Sequence, residues 1–419
     1  MHDTVVLDPA RRTAVRPPER RPCLLFYCQH SLGIGHLTRS FALAAAFAER
    51  FQVVFLNGGR LPAGLPWPAG IELIDLPPLG MDDGHTVVSR DAAHGVAAAQ
   101  AARRALIDAA VREHRPAVLL VELFPFGRKK FAGEILPMIR AARALPGRPA
   151  QVVCSLRDIL VDARPDQQHH DDRARWLADR YFDAVLVHAD PRLARLEESC
   201  HPRCARRVPV HYTGYVVPRR AALGHAPRGR HLLVSAGGGI VGDALFRCAL
   251  QARRLLPEPL PMRIVAGPFL PEPEWLALQA MVQGEPGVTL VRQVPDMVAE
   301  MRAARASISQ CGYNTALDLV VSQVPALVVP YETPAENEQA ERAARMVALG
   351  AMQRIGAVGL DAPRLAAALE SLLAFVPRAA ALDLGGAERS ADILAQLAAQ
   401  GSAQRGAQST AHAATESCP

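Results

Sequence analysis

Long hydrophobic runs and aromatic residues are both scarce in this sequence. No uninterrupted apolar stretch of its 419 residues reaches the ~18–20 residues that a helix needs to cross a bilayer. Aromatic residues make up only 5% of the chain. Residues 1–20 are polar and basic, without the apolar core of a secretory signal peptide. These absences argue against a helical membrane protein and lead us to expect a cytoplasmic location.

The eight cysteines lack the spacing of a metal site. Cys200 and His201 are followed by Cys204, but no second ligand pair comes at the spacing of a zinc site. The run HHDD at residues 169–172 is typical of the solvated start of a helix. We therefore expect reduced thiols, no metal and no cofactor.

The charge balance is positive, with a net charge of +6. Such an excess is compatible with anionic substrates or with peripheral contact with an anionic membrane surface. It does not indicate nucleic acid, because no recognition-module motif is present and aromatic residues do not interleave with the basic ones. We expect no nucleic-acid partner.

Short apolar runs alternate along the chain with segments that have apolar residues at helical spacing. This alternation predicts an α/β protein with parallel, doubly wound sheets. A chain of 419 residues is also long for one core, so two domains are expected. The strands predicted for the first domain are residues 23–28, 51–56, 71–76, 117–123, 151–155, 184–188 and 208–213.

A stretch rich in Gly, Pro and Arg interrupts this pattern, and a second alternating set follows. Its predicted strands are residues 231–235, 263–266, 288–292, 306–309 and 326–329. Helices at 363–374 and 389–399 are expected to close the second domain. The predicted divisions are a disordered tail 1–20, a first domain 21–218, a linker 219–230, a second domain 231–400 and a disordered tail 401–419. Two Rossmann-like domains of this kind face a cleft at the carboxyl ends of their strands, where ligands usually bind.

The first candidate site is the loop after the first strand, HSLGIGHLTR at residues 30–39. Gly33 and Gly35 let the chain turn tightly and approach a ligand closely. His36, at the start of the next helix, is placed to take a proton from an acceptor hydroxyl, with His30 as the second choice. A plain turn whose histidine only caps the helix is the alternative. A dinucleotide site is disfavoured, because a third correctly spaced glycine and an acidic residue after the next strand are both missing.

The second candidate site is the loop SAGGGI at residues 235–240, directly after the first strand of the second domain. If Gly237, Gly238 and Gly239 open a helix, their backbone can admit phosphate oxygens at close range. A flexible turn between strand and helix is the alternative. An ATP-hydrolysing P-loop is disfavoured, because Lys and Ser/Thr do not follow at the required spacing.

The third candidate site, residues 309–339, is the most informative. Gly312 opens a helix on which Asn314 and Thr315 come in the first turn. A helix that begins with glycine presents free backbone N–H groups and the positive end of its dipole to an anion such as a diphosphate.

The same segment continues with groups that suit a ribose and a sugar. Asp318, one turn further along the helix, can accept hydrogen bonds from vicinal hydroxyls. The polar stretch that ends in Glu338 and Gln339 can bind a sugar. Diphosphate, ribose and sugar are the parts of a nucleotide-sugar. An ordinary amphipathic helix with Asp318 on its solvated face is the alternative.

Other strand ends carry less specific candidates. Glu122, Arg157 and Asp158 follow strands of the first domain and could touch an acceptor, although a helix cap or a surface ion pair is at least as good an interpretation. Val294 follows a strand of the second domain, where backbone N–H groups could meet a base.

Together the first loop, the glycine-rich second loop and the segment CGYNTALDLVVSQVPALVVPYETPAENEQ resemble the GT-B glycosyltransferases. The nearest resemblance is to the family 28 enzymes, such as the MurG-type N-acetylglucosaminyltransferases. It covers about residues 22–380 and is most specific in the second domain. It implies the GT-B fold, with two Rossmann-like doubly wound domains, the first for the acceptor and the second for a nucleotide-sugar.

The resemblance assigns roles to several residues. His36 matches the histidine of the family's first loop, which lies near the donor phosphates. The loop from Gly237 to Gly239 matches one near the diphosphate, and Val294 matches the position whose backbone reads uracil. The residues implied to face the diphosphate at the helix start are Gly312, Asn314 and Thr315.

The sugar-reading end departs from the family. Asp318 matches an acidic ribose ligand that is Glu in the MurG type. Glu338 and Gln339 match a pair that holds the donor sugar, where the MurG type has two glutamines. These departures concern the sugar more than the nucleotide, and the first-domain loops do not clearly match those that bind the MurG acceptor.

The expected reaction is a hexosyltransferase-type transfer, with inversion, from a nucleotide-sugar to an acceptor hydroxyl. The donor is expected to be a UDP-sugar. Helix dipole and backbone N–H groups can stabilise the departing diphosphate, so no metal is required in principle. A nucleotide-sugar 2-epimerase of the same architecture and a binding protein without chemistry are the alternatives. A nicotinamide oxidoreductase ranks last.

Overall fold

Two parallel sheets, one in each half of the chain, organise the fold. The computed structural model describes residues 21–30, 35–62, 67–82, 86–91, 93–162, 164–219, 228–334 and 336–415, with side chains as far as residue 401. The predicted tail 1–20, the candidate Gly33 and residues 220–227 of the predicted linker lie outside these ranges. Among the described residues, no helix has the length and apolarity needed to cross a membrane.

The first half alternates strands and helices as the apolar pattern predicts. Its strands are β1 (Cys23–Cys28), β2 (Gln52–Asn57), β3 (Ile71–Asp75), β4 (Leu79–Met81), β5 (Val87–Ser89), β6 (Val118–Glu122), β7 (Gln151–Leu156), β8 (Ala184–Val187) and β9 (Val210–Tyr212). Its helices are α1 (Gly35–Phe47), α2 (Val96–His114), α3 (Ala132–Arg143) and α4 (Gln167–Tyr181). Seven strands form a parallel sheet in the order β3-β2-β1-β6-β7-β8-β9, while β4 and β5 form a small antiparallel pair.

The second half repeats the architecture. Its strands are β10 (Leu232–Ser235), β11 (Met262–Val265), β12 (Val288–Val291), β13 (Ala306–Ser309), β14 (Ala326–Val328) and β15 (Gln353–Arg354). The helices are α5 (Asp243–Leu255), α6 (Glu272–Val282), α7 (Met297–Ala303), α8 (Tyr313–Ser322), α9 (Glu338–Ala348), α10 (Ala362–Ala374) and α11 (Gly386–Thr415). The sheet order is β12-β11-β10-β13-β14-β15. Two doubly wound α/β halves are therefore confirmed.

Each sheet has one point where the strand order reverses. β1 pairs in parallel with both β2 and β6, and β10 pairs in parallel with both β11 and β13. Ligands of open α/β sheets bind outside the carboxyl ends of the strands at such points. The loops that follow β1, β10 and β13 and the last residue of β6 carry several of the candidate residues, so the topology brings these candidates to the expected edge.

The last helix differs from its prediction in both position and length. It was expected to close the second domain, but Ala391, Leu394 and Ala398 pack into the core of the first half beside Val216. The first turn of this helix is held there too, since the Arg389 guanidinium donates to the carbonyl of Thr213 at 2.7 Å. An amphipathic helix shows in its sequence which face is buried but not which sheet buries it.

The same helix runs on through much of the segment predicted to be a disordered tail. It is helical as far as Thr415. Alanine and glutamine are abundant there, and both favour helix. The Ser/Ala/Gln-rich composition that suggested disorder therefore did not exclude a helix.

Removal of the Leu394 side chain should destabilise the first half, since Leu394 is fully buried in that core. We expect Leu394→Ala to lower the free energy of unfolding by about 2–4 kcal/mol. Gln396→Ala, on the exposed side of the same helix, should change it by less than about 0.5 kcal/mol. Urea denaturation measures both, and an equal effect of the two substitutions would contradict the packing of α11 on the first half.

A buried histidine, His188, lies where the first half meets the second. Its ring hydrogen-bonds to the hydroxyls of Ser155 at 2.8 Å and Thr213 at 2.9 Å, and the residue is fully buried. Burial lowers the pKa of His188 to about 3, and the Arg39 cation acts in the same direction. The ring is therefore neutral in the folded protein throughout the physiological range.

This neutral ring makes stability depend on pH. Between the ordinary histidine pKa and about 3, the unfolded chain binds a proton that folded His188 does not. Stability should therefore fall as the pH is lowered from 7 to 5. His188→Gln keeps a polar group between the two hydroxyls and should make the melting temperature less dependent on pH. Equal slopes for both proteins, measured by thermal unfolding, would show that His188 is not the source.

Candidate active site between the two halves

The starts of two helices, one from each half, meet at the cleft. The amide nitrogen Nδ2 of Asn314, in the first turn of α8, donates to the carbonyl of Gly35 at the start of α1, at 2.9 Å. Gly312 is the N-cap of α8 and supplies no side-chain cap, and a Cβ added there would meet no described atom within 4 Å. The positive ends of two helix dipoles thus converge beside open space, which suits an anion.

His36 lies next to this contact and pairs with a buried carboxylate. Its Nδ1 is 2.6 Å from Oε1 of Glu122, the last residue of β6. The His36 side chain is 17% exposed, whereas that of Glu122 is fully buried. An ionised carboxylate only accepts hydrogen bonds, so Nδ1 carries the proton and Nε2 keeps its lone pair. This arrangement makes Nε2 the atom that can receive a proton.

The surroundings keep His36 neutral and Glu122 ionised, which are the protonation states that a proton acceptor and its partner need. Burial lowers the pKa of His36 to about 3, although Glu122 opposes the shift, so the ring is neutral at neutral pH. Burial alone would raise the pKa of Glu122, but its contacts with His36, Arg128 and Arg39 hold it well below the ordinary value. Glu122 is therefore ionised and can stabilise a proton that arrives on His36.

The sequence suggested that Glu122 could touch an acceptor, but its carboxylate is turned into the protein. Its Oε1 also accepts from Arg39 Nη2 at 2.6 Å, and Oε2 faces Arg128 Nη2 at 3.4 Å. Full burial leaves it in contact with the protein rather than with the cleft. Its position at the end of β6 was predicted correctly, and its contacts there are with His36 and two arginines.

His30, the second-choice base, is less suitably placed. It is almost fully buried, and its Nε2 lies 3.0 Å from the side-chain oxygen of Asn57. A Cβ on Gly59 would lie 2.3 Å from the His30 carbonyl oxygen, so the backbone around it is tightly packed. Burial lowers the pKa of His30 as well. We therefore keep His36 as the candidate base.

The glycine loop of the second half packs closely against its neighbours. Gly237 has φ +57°, and a Cβ there would lie 3.5 Å from the Thr315 hydroxyl of α8. Gly239 has φ +90°, and a Cβ there would lie 2.1 Å from the carbonyl oxygen of Ala266. The Gly238 carbonyl accepts a backbone hydrogen bond. The loop therefore needs glycine and adjoins α8, but it does not open a helix directly, since α5 begins only beyond it.

Tyr313, the first residue of α8, fixes this helix to the first half. Its hydroxyl donates to the carbonyl of His188 and accepts from the backbone N–H of Val216, both at 3.0 Å. The guanidinium of Arg39 lies 5.3 Å from the ring centroid and that of Arg342 lies 5.9 Å from it. Contacts of this kind are attractive through the ring quadrupole. One buried side chain thus holds the start of α8 to the first half.

The other predicted donor residues lie around the same helix. Asp318 is partly exposed on α8, and Val294 is partly buried against the core beneath α7. The side-chain oxygen of Gln339 accepts from the backbone N–H groups of Cys311 at 3.0 Å and Tyr331 at 3.1 Å. Gln339 therefore ties the start of α9 to the start of α8 and shapes the site through its backbone contacts.

Arg157 and Asp158, predicted to touch an acceptor, instead bind helix α9 of the second half. Arg157 Nη1 donates to Glu338 Oε1 at 2.8 Å. Asp158 accepts from Arg342 in a two-pronged contact, with both N–O distances 2.8 Å. A loop of the first half thus reaches the end of the site that was predicted to read the donor sugar.

Three residues that carry these contacts had no role in the sequence interpretation, namely Arg39, Tyr313 and Arg342. Arg39 follows His36 by three residues and Arg342 follows Glu338 by four, so each shares a helix face with a candidate. A charged residue in a helix that is otherwise mostly apolar is a sequence signal that could have marked Arg39. Within the described part of the chain, no group of His, Cys, Asp and Glu is arranged to hold a metal ion.

Comparison with known proteins agrees with this geometry. Residues 237–397 match the family described as the glycosyltransferase family 28 C-terminal domain. A curated relative from Alkalilimnicola ehrlichii is 28% identical over 235 residues, which are 49% of this chain and 61% of the relative. It is named UDP-N-acetylglucosamine--N-acetylmuramyl-(pentapeptide) pyrophosphoryl-undecaprenol N-acetylglucosamine transferase. The chain thus spans less than two thirds of this relative's length.

Solved structures share the fold over nearly the whole chain. A UDP-glucosyltransferase from Polygonum tinctorium is 17% identical with a TM-score of 0.57, and the match covers 92% of this chain and 95% of that one. MurG from Acinetobacter baumannii is 15% identical with a TM-score of 0.53, and that match covers 89% and 99%. The fold is therefore GT-B, and residues 237–397 resemble the C-terminal domain of the family 28 glycosyltransferases.

Proposed function

We propose that this protein transfers a sugar from a UDP-sugar to an acceptor hydroxyl, with inversion at the anomeric carbon. One observation carries the proposal. The His36–Glu122 pair of the first half lies one residue from the contact between Gly35 and Asn314, which joins the starts of α1 and α8. A candidate base and a candidate diphosphate site are therefore neighbours across the cleft.

The donor side of the proposal follows from the second half. The diphosphate lies at the start of α8, the ribose near Asp318, and the base near the backbone of Val294. The family 28 match over residues 237–397 and a relative named for a UDP-linked donor support this assignment. Contact with an anionic membrane surface stays a prediction that rests on the net charge of +6.

The chemistry is a single displacement. His36 Nε2 takes the proton of the acceptor hydroxyl, and the oxygen bonds to the anomeric carbon as the bond from that carbon to the diphosphate oxygen breaks. Attack from the face opposite the leaving group inverts the configuration. Glu122 holds the ring in the tautomer that leaves Nε2 free to accept and stabilises the imidazolium that forms, as the acid of a hydrolase triad does.

Departure of UDP creates negative charge where the helix starts converge. Backbone N–H groups at the start of α8 and the dipoles of α1 and α8 stabilise that charge without having to reorganise. We therefore propose a reaction that proceeds without a metal. The hydrogen bonds of Tyr313 to the first half fix the starts of α1 and α8 relative to each other. Fixed helix starts favour alignment of the two substrates.

Removal of the base should separate catalysis from binding. We expect His36→Ala to lower kcat at least ~100-fold, the lower range for loss of a general base, while the Kd for UDP stays within about threefold. Turnover is measured with a panel of UDP-sugars and hydroxyl acceptors, and UDP binding by calorimetry. His169→Ala, an exposed histidine on α4, is the matched control and should behave as the wild type.

Each of the other outcomes would point to a different function for this protein. Unchanged turnover in His36→Ala would remove His36 as the base. Epimerised UDP-sugar in the absence of an acceptor would favour a 2-epimerase. UDP-sugar binding without turnover on any acceptor would indicate a protein that binds nucleotide-sugars but has lost the chemistry.

A further inference from the structure

The loop that follows β6, residues 123–128, has an uncommon backbone conformation at both ends. Leu123 has φ +64° and Arg128 has φ +57°, values in the left-handed region that bulky side chains seldom adopt. The N–H of Gly127 donates to the carbonyl of Leu123 at 2.9 Å, and the Phe124 side chain is fully buried. Such conformations persist where the surrounding structure fixes them, and they concentrate at functional sites. We call residues 123–128 the β6 loop.

Arg128, the last residue of the β6 loop, keeps hydrogen-bonding capacity that the protein does not use. Its one hydrogen bond to a described residue is long, from Nη2 to Oε2 of Glu122 at 3.4 Å. Its Nε is buried without a partner, whereas Nη1 is not buried and makes no hydrogen bond within the described part of the chain. The side chain is 14% exposed. A guanidinium has more N–H donors than this one contact uses, so donors remain for a ligand.

The charges around Arg128 are not balanced. Arg128 and Arg39 both contact the carboxylate of Glu122, while the ring of His36 beside them is neutral. Among the residues that the structure describes, neither arginine has a second carboxylate partner. Two cations therefore share one anion in a largely buried setting. Because buried charge is costly unless it is paired, an anion supplied by a ligand would be stabilising here.

This excess of positive charge lies beside the candidate base. Nδ1 of His36 and Nη2 of Arg128 lie at the two different oxygens of the same Glu122 carboxylate. A small molecule whose hydroxyl meets His36 can therefore present a second group to Arg128. Lys129 and Lys130 follow directly and are exposed, so the approach from solvent is positive as well.

We propose that Arg128 binds an acidic group of the acceptor, a carboxylate or a phosphate monoester, carried close to the hydroxyl that His36 deprotonates. This inference rests on the proposed function and adds a chemical class of acceptor to it. The acidic group accepts charge-assisted hydrogen bonds from the guanidinium. It also offsets the positive charge that His36 gains as the proton arrives, so it favours the transition state.

Paired acceptors separate the acidic group from the rest of the reaction. Each hydroxyl acceptor is offered to the UDP-sugar reaction in two forms, an acid and its amide or a phosphate monoester and its parent alcohol. Glucuronate with glucuronamide and glycerol phosphate with glycerol are such pairs. In kcat/KM the wild type should favour the acidic member of a pair at least about tenfold, the lower range for a hydrogen bond to a charged group. The kind of pair with the larger ratio identifies the group as carboxylate or phosphate.

Substitution of Arg128 should remove this preference. In Arg128→Met the ratio between the two members should fall to within about twofold, because the cation is gone. Any effect on His36 or Glu122 acts on both members and cancels in the ratio. Arg128→Lys keeps the charge but not the planar fork and should retain part of the preference. Calorimetry should give a Kd for UDP within about threefold of wild type for both variants, which also shows that they fold.

A matched control comes from the helix that follows the β6 loop. Arg140 lies on α3, is exposed, and has Nη2 at 3.4 Å from the hydroxyl of Tyr181. Arg140→Met removes one surface cation from the same half. Both the ratio between paired acceptors and the Kd for UDP should stay within about twofold of wild type, as expected for an exposed charge.

The contrary results are distinct. Equal kcat/KM for the two members of every pair in the wild type would overturn the acidic group. A preference that survives in Arg128→Met would show that another residue binds it. A loss of UDP affinity in Arg128→Met with the preference intact would assign Arg128 to the donor diphosphate instead. No turnover with either member of any pair would contradict the proposed function, and this inference with it.

Discussion

The burial of Tyr313 in the first half is the interaction on which the geometry of the cleft depends. Tyr313 begins the helix expected to face the diphosphate, yet its hydroxyl is satisfied by the backbone of the other half and its ring lies between two arginines. A buried hydroxyl without these partners would be costly. Because the partners and the helix start belong to different halves, the same residue sets the distance between the start of α8 and the candidate base.

The two arginines extend this constraint into both sides of the site. Arg39 also binds Glu122, which holds His36, and Arg342 also binds Asp158 and the backbone before α8. Each buried cation thus has a carboxylate partner, as buried charges require. The contacts form one continuous path from the candidate base, through Tyr313, to the first turn of α9. A shift of one half relative to the other would disturb all of them together.

Local patterns in the sequence predicted most of the strands and helices and the sheet edge at which the candidate residues lie. β1 and the start of α8 have the predicted limits, because an apolar run and a glycine before a helix are signals within one segment. The same reasoning put Glu122 and Asp158 at strand ends but could not supply their partners, which are far away along the chain. Nor could it assign α11 to the first half, since the sheet that covers an apolar face depends on the whole topology.

A crystal structure with UDP bound tests the central claim most directly. The account predicts diphosphate oxygens about 3 Å from the backbone N–H groups at the start of α8, a normal hydrogen-bond distance. His36 should lie across the cleft from them, and Tyr313 should remain buried in the first half. A diphosphate bound away from α8, or a bound state in which Tyr313 has left the first half, would contradict the account.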